Sequence, residues 1–288
     1  MIQRLCIIGV GLIGGSLARA LRSAGAVGSV IGCGRGEANL KSAVRLGVID
    51  EYSFDPASAA DGADMIVVAT TLGASPAMFD KIASKITRDT VVTDVGSAKR
   101  RTLEAARQSF GNEVARFVPG HPIAGTEKSG VEASFADLFR EHRVILTPDP
   151  TTDADALEKV TKMWRTTGAI VSNMNADQHD SVLAATSHLP HMLAYALVDC
   201  LSSMDASADI FRFAAGGFRD FTRIASSSPE MWSDIAIDNR EALLAALTNF
   251  SATYDELVKA LAAGDKDTLV NLFGRAKAAR DAFGGSVK

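Results

Sequence analysis

Cysteine is scarce in this chain of 288 residues: Cys6, Cys33 and Cys200 are the whole set, and no two stand at the spacing of a zinc site. An odd, scattered set excludes a disulfide framework and suits a reducing cytoplasm. A membrane span is lacking as well. Leu5 to Ala18 is apolar, but glycine interrupts it and it is too short to cross a bilayer. Met1-Ile2-Gln3-Arg4 runs straight into apolar sequence, without the pattern of a signal peptide. Basic charge is not in excess. Lys and Arg number 30 against 34 Asp and Glu, for a formal net charge of -4, which leaves no footprint for nucleic acid. The one short basic run, Lys99-Arg100-Arg101, reads as the solvated first turn of a helix. Repeats and low-complexity tracts are absent. A soluble cytoplasmic protein follows, with neither nucleic acid nor membrane as partner.

What is present is an ordinary folded composition, 47% apolar and 22% charged, in a length that suits two domains. The first half alternates short apolar runs with helical segments. Leu5-Cys6-Ile7-Ile8, Ser29 to Cys33, Met65 to Ala69 and Thr90 to Thr93 read as buried strands, with helices over Leu12 to Ala24 and Ala38 to Leu46. Runs without polar alternation predict a parallel sheet covered on both faces, in a doubly wound, Rossmann-like α/β domain. Arg143 to Leu146 and Ala169 to Val171 read as late strands flanking a helix from Asp153 to Thr167. After Ser172 the periodicity is helical, over 177–204, 230–262 and 265–283. The expected division is therefore 1–172 and 173–288, an α/β domain followed by an all-helical one. The apolar abundance of the helical half fits burial against a second subunit, as in a homodimer, or an intramolecular core.

Gly9-Val10-Gly11-Leu12-Ile13-Gly14 matches the dinucleotide fingerprint, directly after a strand and opening a helix. Gly9 permits the tight turn, Gly11 lets the backbone approach a pyrophosphate, and Gly14 allows close packing of helix on strand. At the tip of the second strand, where an acid usually binds the adenine ribose, the chain has Gly34 followed by Arg35. A missing carboxylate and a nearby guanidinium favour NADP over NAD, although Glu37 is close enough to restore ribose binding.

The candidate chemistry lies further on. Ser97, in Asp94-Val95-Gly96-Ser97-Ala98-Lys99, falls at the carboxyl end of a strand near the reactive end of a bound cofactor, or caps the helix running to Phe110. His121, in a stiff loop between Gly120 and Pro122, is a candidate base for taking a proton from an alcohol. Glu127, six residues on, orients a neighbouring group, meets an amine or is a surface charge. His188 and His191 share a helix face across Pro190; with no third ligand at suitable spacing, contact with an anionic substrate is expected there and metal is not. Of the arginines in Gly217-Phe218-Arg219-Asp220-Phe221-Thr222-Arg223, one suits a bidentate clamp on a carboxylate, and Trp232 either walls the site or belongs to the core.

Taken together, GVGLIGGSLA at 9–18, DVGSAK at 94–99, HPIAGTEKSG at 121–130, SHLPHML at 187–193 and GGFRDFTRIA at 216–225 resemble the prephenate/arogenate dehydrogenase family. The resemblance runs over nearly the whole chain and implies a Rossmann-like domain followed by a helical dimerisation domain. It implies that His121 is the catalytic histidine at the substrate's ring hydroxyl, that Ser97 contacts that hydroxyl and the nicotinamide, and that Arg223 holds the ring carboxylate. His191 and His188 would lie by the substrate side chain, with Glu127, Asp220 and Trp232 at supporting positions. The implied reaction is oxidative decarboxylation of prephenate or arogenate with NADP or NAD, in a single-function chain in which tyrosine inhibits as a product. Two rivals are a β-hydroxyacid dehydrogenase-type oxidoreductase, disfavoured because 175–258 holds no lysine, and a non-catalytic NADP-binding sensor.

Overall fold

The computed structural model describes residues 1–126 and 128–286, and their contacts form two compact units, 1–240 and 241–288. The first unit opens with β1 (Ile2–Ile8), α1 (Leu12–Ser23), β2 (Val27–Cys33), α2 (Glu37–Arg45) and β3 (Glu51–Ser53). It continues with α3 (Pro56–Ala60), β4 (Met65–Val68), α4 (Ser75–Ile82), β5 (Val91–Asp94), α5 (Arg100–Phe110) and β6 (Phe117–Val118). The six strands pair in parallel in the order β3-β2-β1-β4-β5-β6. This is the doubly wound sheet expected from the continuous apolar runs.

Alternation along each strand divides the core into two layers, since successive side chains leave a strand on opposite faces. Leu5 and Ile7 of β1 join Leu17 and Leu21 of α1 and Trp164 on one face. Cys6 and Ile8 join Ile66, Val68 and Phe79 on the other. There Phe79, Phe110 and Phe117 meet edge to face, with centroids 5.2, 5.3 and 5.9 Å apart. Such aromatic pairs add about 0.5–1.5 kcal/mol beyond the area they bury.

Strand order reverses between β1 and β4, so a crevice opens beyond the carboxyl ends of these two strands. Gly9 turns the chain there at φ +104°, and a Cβ on it would lie 2.3 Å from the carbonyl oxygen of Ala69, just past β4. A Cβ on Gly14 would lie 2.4 Å from the Gly9 oxygen, whereas Gly11 faces open space.

The late strands do not extend this sheet. β7 (Gly120–Pro122), β8 (Arg143–Leu146) and β9 (Ile170–Asn173) form a second sheet, β7 antiparallel and β9 parallel to β8, with α6 (Ala154–Thr166) between β8 and β9. His121 therefore sits in a short strand opposite Ile145, not in the loop expected from its proline neighbour. Pro122 is tolerated because β7 lies at the edge of its sheet, where a missing N–H breaks no interior ladder.

The helical part begins with α7 (Ala176–Leu183), followed by α8 (Leu189–Ser202), α9 (Ser207–Arg212), α10 (Gly216–Thr222) and α11 (Pro229–Asp238). The helix expected over 177–204 is interrupted by one π turn, Ala184–His188. Pro190 supplies the reason: it offers no N–H to the carbonyl four residues back and crowds it, so the turn widens. The second unit is helical, made of most of α12 (Arg240–Ala263) and of α13 (Lys266–Ser286). Gly264, at φ +66°, ends the one helix, and Asp265 caps the other through the Thr268 N–H at 3.0 Å. Among the described residues no helix is long and apolar enough to cross a membrane.

The two fingerprint glycines should respond oppositely to a methyl group. Gly14→Ala forces backbone apart and should cost about 1–3 kcal/mol, whereas Gly11→Ala, in open space and with extended backbone, should leave the melting temperature nearly unchanged. Thermal unfolding of both variants checks this, and equal melting temperatures would refute the packing role of Gly14.

Candidate active site

The site is assembled where the carboxyl end of β5 meets β7 and α7. Asp94 closes β5 and is 1% exposed. Its Oδ2 accepts from the Gly96 N–H at 2.8 Å and from Lys99 Nζ at 2.5 Å, and its Oδ1 accepts from the Gly120 N–H at 3.1 Å. Lys99 also donates to the Gly120 carbonyl at 2.7 Å. Lys99 is thus wholly buried. This corrects the reading of Lys99-Arg100-Arg101 as a solvated turn: the lysine side chain folds inward, and Asp94 supplies the counter-charge that burial demands.

Ser97 is half-buried just before α5 and does not cap it. The helix begins later, at Arg100, and its cap comes from another element. The Asp180 carboxylate accepts from the N–H groups of Lys99 and Arg100 at 2.8 and 2.9 Å. Ser97 makes no hydrogen bond among the described residues, so its hydroxyl is available to a ligand.

Asp180 also orders the histidines. His179 Nδ1 lies 2.8 Å from Asp180 Oδ1, and His179 Nε2 lies 2.9 Å from His121 Nδ1. A carboxylate only accepts, so His179 carries its proton on Nδ1 and offers Nε2 as an acceptor. His121 must then donate from Nδ1, which leaves the lone pair on its Nε2. Burial pulls the His121 pKa well below its ordinary value, and the charges of His179, Lys99 and His188 pull it the same way. Burial works against the Asp180 charge, but hydrogen bonds from His179 and from the Arg100 and Lys99 backbone hold its pKa below the usual carboxylate range. A neutral imidazole with a free lone pair, oriented by a charged acid, is the chemistry of a general base.

A second constellation lies beside it. The side-chain amide of Asn239 donates to the Asp180 carbonyl at 2.8 Å and to His188 Nδ1 at 3.0 Å. The carbonyl fixes the amide's orientation, and the amide fixes the imidazole: His188 accepts at Nδ1 and bears hydrogen on Nε2. That Nε2 and the Trp232 Nε1 are buried donors without partners among the described residues. The Trp232 ring stacks on His191 at 3.6 Å and meets His188 edge-on at 6.0 Å. Its apolar body packs with Leu72 and Ala98, a few residues past β4 and β5. His191 donates from Nδ1 to the Ser187 carbonyl at 2.9 Å, and its pKa is lowered by burial first and then by the nearby charge of Arg223. Two unsatisfied donors in an otherwise paired wall fit a ligand that brings acceptors.

Arg223 is exposed just past α10, and Asp220 is exposed on α10 without a hydrogen bond to this group among the described residues. Glu127 lies outside the described residues. The fingerprint side fits a dinucleotide: no side chain caps α1, Gly11 at its start faces open space, Leu12 is buried and Ile13 half-buried. Asn39 braces the turn, donating to the Val10 carbonyl at 2.7 Å and accepting from the Val131 N–H at 3.0 Å. Gly34 is half-buried and Arg35 exposed beyond β2.

The structure thus unites His121, His188, His191 and Trp232 beside Ser97. Sequence reasoning missed His179, Asp180, Asn239 and the roles of Asp94 and Lys99. One signal was there: all five histidines fall in 121–191, with His179-Asp180 a few turns before His188 on the same helical stretch.

Comparison with known proteins identifies the family of the chain. Residues 17–173 match the family described as prephenate dehydrogenase, nucleotide-binding domain, and residues 175–275 match the prephenate dehydrogenase dimerization domain. The chain is similar to a cyclohexadienyl dehydrogenase of Zymomonas mobilis, 36% identical over 96% of this chain and 95% of the relative. It is likewise 36% identical to a prephenate dehydrogenase of Bacillus subtilis, over 98% of this chain and 76% of the relative. Among solved structures, the prephenate dehydrogenase from Aquifex aeolicus in complex with hydroxyphenyl propionate and NAD+ superposes with a TM-score of 0.91 at 37% identity, covering 98% of this chain and 99% of the other. The chain belongs to the prephenate dehydrogenase family and is an oxidoreductase.

The buried histidines give stability a definite pH dependence. Burial lowers the pKa of His188 to about 4 from its ordinary 6.5. The neutral form's contribution is complete above pH 6.5 and is lost as pH falls toward 4, a loss of roughly 3 kcal/mol. Melting temperature should therefore fall steeply across that window in the wild type and less steeply in His188→Gln. Parallel curves would show that His188 does not titrate on unfolding.

Proposed function

We propose that this member of the prephenate dehydrogenase family catalyses the oxidative decarboxylation of prephenate, arogenate or both, yielding 4-hydroxyphenylpyruvate or tyrosine, with NADP favoured over NAD. The observation that carries the reading is the free lone pair on His121 Nε2, set by the Asp180–His179 hydrogen bonds at the cofactor end of the sheet. When bound, the nicotinamide supplies the acceptor for a hydride from the ring carbon bearing the hydroxyl.

The chain's own residues do the rest. His121 receives the hydroxyl proton, and Ser97 hydrogen-bonds the same oxygen. The Arg223 guanidinium holds the ring carboxylate in register until it leaves as CO2, and aromatisation of the ring drives that loss. His188, His191 and Trp232 meet the substrate side chain, where the unpaired N–H groups of His188 and Trp232 suit carbonyl or carboxylate oxygens. Asp220 and Glu127 complete the surroundings. Glu127 is the charge that would favour an amine, and so arogenate. The cofactor's phosphates rest on the turn at Gly9 and Gly11 and on the start of α1, with Leu12, Ile13 and Gly14 shaping it. Gly34 and Arg35, with no acid at the strand tip, favour a 2′-phosphate.

In this reading residues 1–172 bind the cofactor, residues 173–288 bind substrate and make a cytoplasmic homodimer, and tyrosine competes as a product. Exposed apolar residues on the terminal helices, among them Leu244, Phe250, Tyr254 and Leu261, support the homodimer.

Steady-state kinetics with both substrates, both cofactors and tyrosine as inhibitor test the whole reading. Absorbance at 340 nm should rise with prephenate or arogenate. His121→Asn should lower kcat by about 100-fold or more. Arg223→Ala should raise KM for substrate by at least tenfold, with a smaller effect on kcat, for the loss of a bidentate pair. Near-normal turnover in His121→Asn would exclude it as the base, and noncompetitive inhibition by tyrosine would exclude competition at this site.

A further inference from the structure

Lys99 is a buried titratable group that the reaction as written does not use. Its surroundings are unusually specific. The Asp94 carboxylate and the Lys99 ammonium grip both backbone groups of one peptide residue: Gly120 donates its N–H to Asp94 and accepts from Lys99 at its carbonyl. Gly120 immediately precedes His121. The fit is tight: a Cβ on Gly120 would lie 3.1 Å from the Asp94 carbonyl oxygen. The backbone N–H of Lys99 meanwhile binds Asp180, which orients His179 and through it the other side of His121. Together with the Gly120–His121 peptide bond, the hydrogen bonds close into a ring: Asp94, Lys99, Asp180, His179, His121 and Gly120. Lys99 takes part in it twice, through its side chain and its backbone.

We propose that Lys99 is a positioning residue: paired with Asp94, it fixes the Gly120 peptide and so holds the His121 imidazole in place at the cofactor end of the sheet. The inference rests on the reading of His121 as the base, but only for its kinetic consequence. An isolated buried lysine would not persist; burial pulls its pKa down, and Asp94 opposes that fall. With the pair intact, the ammonium faces His121 together with His179 and Asp180 from α7, Asp94 from β5 and His188 from the π turn. Of these, the positive charge of Lys99 is one of the influences that keep His121 neutral. Replacing the lysine by an uncharged side chain removes that influence and leaves the Asp94 carboxylate uncompensated, and both changes favour a protonated His121.

The test uses Lys99→Gln, which keeps a donor for the Gly120 carbonyl, and Lys99→Met, which does not; either one, folded by circular dichroism and thermal melting, is sufficient. The His121 pKa is read by NMR of histidine-labelled enzyme, with the resonance assigned through His121→Asn. The expected result is a His121 pKa higher by about one unit or more. The acid limb of kcat/KM should move up with it, and kcat should fall by about 10–100-fold from misplacement of the base. A folded variant with an unmoved His121 pKa overturns the proposal. An NMR pKa that rises while the acid limb stays put supports the placement of His121 by Lys99 and refutes instead the reading of His121 as the base.

Discussion

The carboxylate and backbone of one residue, Asp180, hold the chemistry of this protein together. Its side chain caps α5 through two N–H groups and fixes the proton of His179. Its carbonyl fixes the amide of Asn239, which sets the tautomer of His188. One buried residue thus dictates that His121 presents a lone pair and that His188 presents a hydrogen. The cost of burying a charge is met by hydrogen bonds to that charge, each worth about 1.5–3 kcal/mol net, and the carboxylate accepts three of them. The same bonds join α7 of the helical part to the start of α5 in the sheet domain, so the geometry of the candidate site and the docking of these elements are a single constraint.

The electrostatics around this hub point one way. Three histidines, His121, His179 and His188, are almost fully buried, and burial lowers the pKa of each. The buried ammonium of Lys99 adds to that tendency at His121. A protein that buries imidazoles beside a cation keeps them neutral at physiological pH, and a neutral imidazole can accept a proton where an imidazolium cannot. The site loses stability in acid for the same reason that its imidazoles stay neutral at neutrality. On the cofactor side the logic is the reverse: the start of α1 has no side-chain cap and Gly11 beside it faces open space, an arrangement that favours an anion.

Much of this was legible in the residues. The apolar runs without alternation foretold a parallel sheet with two buried faces, because only strands covered on both sides read that way. Gly9 and Gly14 were legible because glycine has one reason to stand at such points, the absence of a side chain, and the contacts at 2.3 and 2.4 Å bear that out. Lys99 was misread because a lysine in a basic run is usually solvated, and nothing local announces that Asp94, five residues earlier, folds back to meet it. His121 was legible as a candidate site residue but not as a strand residue, since its partner Ile145 lies far along the chain. His179 carried no motif of its own.

The sequence by itself determined the order of elements, the dinucleotide turn, the family and the set of side chains from which a site is made. These depend on periodicity, on glycine's conformational freedom and on local motifs, all readable within a few residues. Only the tertiary structure decided which of those side chains work together, which nitrogen of each imidazole bears the proton, and that a lysine from a surface-like run lies in the interior. Those outcomes rest on contacts between residues tens of positions apart, such as His121 with His179 and Asp180 with Asn239. A hydrogen-bond network assigns protons only when all its members are in place.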